Sequence, residues 1–117
     1  MGLDGIRAYC LDKPGVTESL PFGPDALVFK AGKKIFAILA LSSERPWVNL
    51  KCEPDYALEL REGHPEIIAG YHMNKRHWNT IYLDGFLKSV LLKKLIDLSY
   101  ELVLHPHRGK KEASGEN

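Results

Sequence analysis

The run Tyr71-His72-Met73-Asn74-Lys75-Arg76-His77-Trp78-Asn79-Thr80 places two histidines, two cations and two asparagines around one tryptophan. His72 and His77 stand five residues apart, which misses the i, i+4 spacing that sets two imidazoles on one helical face. No cysteine or carboxylate cluster joins them, so a metal site is not expected. The same residue types suit recognition: Lys75 and Arg76 for phosphate oxygens, Trp78 for stacking, the asparagines for hydrogen bonding. Elsewhere the chemistry is thinner. There is no GxSxG elbow and no phosphate-cradling glycine loop, and Gly109-Lys110-Lys111 lies in a polar tail. Cys52 beside Lys51 would be an activated thiol only if exposed, and alternation along its strand groups it with Val48 and Leu50 as a buried, inert thiol. Glu53, Asp55, Glu59 and Glu62 could form a carboxylate surface for a hard cation, but acids favour helix starts anyway, and a solvated helix face is the stronger reading. No catalytic constellation emerges, so a non-enzymatic protein without a cofactor is expected.

The elements that must carry these residues follow from periodicity. Leu3, Ile6 and Cys10 have helical spacing, and Asp12-Lys13-Pro14-Gly15 ends that first helix. Thr17 to Asp25, with Pro21, Gly23 and Pro24, predicts an ordered irregular loop that lays Phe22 onto the domain. Ala26–Lys30 and Lys34–Leu41, joined through Gly32, predict a β-hairpin that sets Lys33 and Lys34 at its tip. The second arm is so apolar that both its faces should be covered. Trp47 to Cys52 alternates, with Val48, Leu50 and Cys52 inward and Trp47, Asn49 and Lys51 outward. Pro54 to Gly63 predicts a helix with one stripe of Tyr56, Ala57 and Leu60. Ile67 to Gly70 is either an edge strand or a buried loop. Trp78 to Leu83, closed by Asp84-Gly85, is a strand whose buried side is left open by its pattern. Leu87 to Leu104 is the longest periodic run, with Leu91, Leu95, Leu98 and Leu102 along its stripe and Leu92, Ile96, Ser99 and Val103 beside it. This order predicts an α+β fold: a single two-layer domain over residues 1–105, an antiparallel sheet with helices packed on one face, then a disordered tail at 106–117.

With 117 residues, 44% hydrophobic and 26% charged, the chain has the make-up of one soluble domain, which sets aside disordered and collagen-like classes. Two distant cysteines outside any CxxC pair fit a reducing compartment, and no run is long and apolar enough for a signal peptide or a membrane span, so a cytoplasmic protein is expected, with a monomer favoured. The net charge of +1 hides an alternation, because residues 26–52 and 71–94 each carry a net +4 while 53–70 carry −4. The basic blocks coincide with predicted strands and the acidic one with a helix, as in a protein with one basic sheet face.

Pro21-Phe22-Gly23-Pro24-Asp25, Lys34-Ile35-Phe36-Ala37, Leu50-Lys51-Cys52, the Tyr71–Thr80 run and Leu95–Val103 together resemble the YjbR/MmcQ family over about residues 3–104. The resemblance implies a small bacterial protein with a CyaY-like fold, described as a "double wing" DNA-binding module whose wings would lie near Lys33 and Lys75. On this reading DNA is the partner, with Lys33, Lys34, Lys51, Lys75 and Arg76 on phosphates and His77 and Trp78 shaping the surface. The alternative is a small-ligand or protein-binding module with a cleft lined by His72, Asn74, His77, Trp78 and Asn79. A third, by analogy to frataxin, is a cation-binding acidic helix.

Overall fold

The structure, a computed structural model, describes residues 1–70, 73–85 and 87–106. Six strands form one antiparallel sheet in the order β1-β2-β3-β4-β6-β5: β1 (Val16–Ser19), β2 (Ala26–Ala31), β3 (Lys34–Ala40), β4 (Trp47–Lys51), β5 (Ile67–Ala69) and β6 (Trp78–Tyr82). Three helices, α1 (Leu3–Leu11), α2 (Pro54–Gly63) and α3 (Ser89–Leu104), lie against one face, giving the expected α+β layers. Two expectations need correcting. The segment after Pro14 is not wholly irregular, because Val16 to Ser19 pairs with Val28 to Ala31 as an edge strand. Phe22 does not lie on the domain but stands 67% exposed. Ile67–Ala69 resolves as the other edge strand, pairing with β6 alone.

The core lies between sheet and helices. Leu27, Phe29, Leu39, Val48, Leu50 and Ile81 from the strands meet Ile6, Cys10, Ala57, Leu60, Leu95 and Ile96 from the helices. Phe36 joins them because the β2–β3 register slips by one residue beyond Phe29, so that Phe36 and Ala37 both turn inward. The extra residue has a consequence for the neighbouring pair. The β3–β4 ladder stops at Ala37–Leu50, and the Ser99 hydroxyl enters beyond it. That hydroxyl donates to the Phe36 carbonyl (2.6 Å) and accepts the Lys51 N–H (2.9 Å), so the two backbone groups are satisfied through a helix side chain. Ser99 and Tyr100, whose hydroxyl donates to Pro14 O, turn α3 so that its buried line runs through Leu92, Ile96, Ser99 and Val103, while Leu98 is 37% exposed.

Candidate nucleic-acid interface

Strand directions bring the cations together. The β2–β3 turn at Gly32-Lys33, the end of β4 at Lys51 and the start of β6 at Trp78 all lie at the same end of the sheet. Gly32 takes φ 64°, which lets two residues close the turn. Lys33 and Lys34 are exposed at this tip, and Lys30 precedes it. A second tip forms at residues 74–77. There the Asn74 carbonyl accepts the N–H groups of His77 (3.2 Å) and Trp78 (3.0 Å), and the Asn74 side-chain oxygen accepts the Arg76 N–H (3.0 Å). This side-chain turn fixes the loop and leaves Lys75 and Arg76 exposed. Arg61 ties the loop to α2 by donating to the Lys75 carbonyl and, within the helix, to the Ala57 carbonyl. Gly70 is needed beside it, because a Cβ there would lie 2.7 Å from the Trp78 Cβ.

Among the described residues, none of Lys30, Lys33, Lys34, Lys51, Lys75 and Arg76 forms an ion pair. The cations that are paired lie elsewhere: Arg7 with Glu18, Lys13 with Asp97, and Arg45 with Asp84. The Arg45 hydrogen bond holds the Asp84 carboxyl below its usual range, and the Arg7 hydrogen bond does the same for Glu18. Glu53 stands near the basic end, but its carboxylate accepts the N–H groups of Tyr56 and Asp55 at the start of α2. The cations thus gather at one end of the sheet, a sharper arrangement than a uniformly basic face.

The register also divides the aromatics. Lys51 pairs with Trp78, Asn49 with Thr80 and Trp47 with Tyr82. These six occupy the face turned away from the helices, while Val48, Leu50 and Ile81 belong to the core. Thr80 donates to the Asn49 side-chain oxygen, and both residues are buried. Arg45 lies over the Tyr82 ring at 3.7 Å. Asn79 goes the other way. It is 2% exposed beneath α2, with its amide donating to Ala57 O at 3.4 Å and its own oxygen without a hydrogen-bond partner.

Of the alternative cleft residues, the four that are described do not share one face. Asn74 holds its turn, His77 is half-buried with its carbonyl accepting the Cys52 N–H (2.7 Å), and Trp78 and Asn79 lie on opposite faces. His72 is outside the described residues, as are residues 107–117. The cavity beside Asn79, lined by Leu50, Cys52, Leu60, Ile81 and Leu95, holds about 10 Å³, room for a water at most. Among the described residues no group of three His, Cys, Asp or Glu side chains is placed to hold a metal ion. Burial raises the Cys10 thiol to about 12 and the Cys52 thiol to about 11, which keeps both protonated. Among the described residues no helix is long and apolar enough to cross a membrane. Neither the Ser99 bridge nor the Arg45–Tyr82 stack has a signal in the sequence, since each joins residues distant in the chain.

The YjbR family model matches residues 11–102. Uncharacterized protein YbdF of Escherichia coli O157:H7 is 40% identical over 98 residues, covering 84% of this chain and 80% of YbdF. Uncharacterized protein YjbR of Escherichia coli K12 is 36% identical over 101 residues, covering 86% of each chain. The crystal structure of Deinococcus radiodurans protein DR2400, of domain family DUF419, superposes with a TM-score of 0.82 at 38% identity, covering 86% of this chain and 77% of that one. A Pseudomonas syringae protein crystal structure superposes with a TM-score of 0.77 at 28% identity, over 87% of this chain and 98% of the other.

Proposed function

The chain belongs to the YjbR family, and from that premise we propose that it binds DNA through the basic end of its sheet, as a binding protein and not an enzyme. One observation carries the reading: Lys33, Lys34, Lys51, Lys75 and Arg76 converge from three parts of the chain on one end of the sheet, and none is spent on an ion pair among the described residues. Cations held together without counter-ions repel one another, and a polyanion relieves that repulsion while releasing its own condensed ions. The two loop tips flank the β3–β4 strands, about 10–14 Å apart at the spacing of neighbouring strands, so they can engage separate phosphates. Lys51 and Trp78 lie between them, with His77 at the root of the second tip.

A short DNA fragment titrated into isotope-labelled protein at low salt tests this by amide chemical-shift mapping. Perturbations should centre on residues 30–34, 51 and 74–78. Perturbations confined to α1 and the outer side of α3, or none at saturating DNA, would contradict it.

A further inference from the structure

The face turned away from the helices carries groups that phosphate contacts at the loop tips leave unused. Trp78 stands beside Lys51 at the basic end, and four residues along β6 Tyr82 stands beside Trp47, with the Arg45 guanidinium over its ring at 3.7 Å. Between them lies the buried Asn49–Thr80 pair. Trp78, Trp47 and Tyr82 are all only partly buried, although the opposite face of the same strands offers a closed core. The hydrogen bond to Asp84 fixes the Arg45 plane against Tyr82 while leaving the Arg45 side chain 53% exposed.

We propose that this face binds single-stranded nucleic acid, with unpaired bases stacked on Trp78 and on the Arg45–Tyr82 pair and the backbone drawn to Lys51, Lys75 and Arg76. The inference rests on the reading that the basic end takes a polyanion, and adds which strand form it takes. Ring faces and guanidinium planes pair with the faces of bases, and those faces are hidden in a duplex. Four neighbouring strands span about 14 Å between the outer strand axes. That exceeds the width of about 12 Å of the major groove, so the aromatics could not be carried to base edges inside it. An unpaired strand has no such barrier. From Trp78 to Tyr82 the β-rise gives about 13 Å, enough for more than one base. Along that line the anionic backbone meets Lys51, Lys75 and Arg76 at the Trp78 end.

Fluorescence titrations at low salt, with a labelled mixed-sequence single strand and a hairpin duplex of equal phosphate number, separate the possibilities. The single strand should bind more tightly and quench the intrinsic tryptophan emission. Trp78→Leu should weaken single-strand binding about 5- to 150-fold, the range for removal of one base stack, with the salt slope unchanged and a smaller loss for the duplex. Trp78→Phe should restore most of the affinity. Should Trp78→Leu lose its fold by circular dichroism, quenching in the wild type and weakened single-strand affinity in Arg45→Ala carry the same test. Equal binding of both forms, with no quenching and no effect of Trp78→Leu, would overturn this inference while leaving DNA binding at the basic end standing. Failure of both forms to bind would overturn both.

Discussion

Ser99 shows how one hydroxyl can decide local geometry. It replaces the ladder bond that the extra residue at Phe36 removes, and so positions the end of β4 where Lys51 stands. Ser99→Ala leaves a buried carbonyl and a half-buried N–H unsatisfied, and should cost about 1–3 kcal/mol in chemical denaturation. Nothing in the sequence marks this, because a serine within a leucine-rich helix reads as a polar gap until its partners, Phe36 and Lys51, are known. The Cys52 thiol is legible, since alternation alone places it inside. Burial of the two thiols also sets a pH dependence. The unfolded chain releases thiol protons from about its ordinary value of 9.0, whereas the folded chain keeps them up to about 12 at Cys10 and about 11 at Cys52. The folded state holds more protons in that window, so stability is complete below pH 9 and falls as pH rises towards 11 and 12. Urea midpoints at pH 8 and pH 10.5 should therefore differ, and the double variant Cys10→Ala, Cys52→Ala should show a smaller difference.

At the scale of elements, the junction between β5 and β6 is a close backbone approach. The Gly70 N–H donates to the Trp78 carbonyl at 2.8 Å, and the glycine lies against the Trp78 backbone with no room for a methyl group. Gly70→Ala should lower stability by about 1–3 kcal/mol and loosen the second basic tip, seen as a lower thermal midpoint and faster amide exchange at residues 77–79. The hairpin, the third strand and all three helices are legible because their periods and end signals agree. β1 is not, since Val16-Thr17-Glu18-Ser19 is short and mostly polar, as an edge strand can be, and the Pro-Gly cluster after it suggests a loop. The periodicity of α3 points one position off the true centre of its buried stripe because two adjacent apolar lines are available, and the hydrogen bonds of Ser99 and Tyr100 choose between them.

For the whole molecule, net charge conceals how the charge is distributed. A value of +1 suggests indifference to polyanions, yet the antiparallel order β2-β3-β4-β6 carries cations from two basic blocks to one end, away from the paired Arg7, Lys13 and Arg45. Alternation of charge blocks is legible in the sequence. Their meeting point is not, because it depends on β6 pairing with β4 across the whole of α2 and β5. Lys93 and Lys94 supply an internal control, being exposed on α3 on the opposite layer of the domain. The most direct test is the salt dependence of DNA affinity, measured by fluorescence anisotropy for the wild type, for Lys33→Ala, Lys34→Ala, Lys75→Ala, Arg76→Ala combined, and for Lys93→Ala, Lys94→Ala combined. The plot of log affinity against log salt should be linear for the wild type and the α3 variant, and shallower for the basic-end variant by about 0.7–0.9 for each phosphate that is no longer neutralised. A basic-end variant with the affinity and slope of the wild type, or a wild type without affinity at low salt, would contradict DNA binding at this end of the sheet.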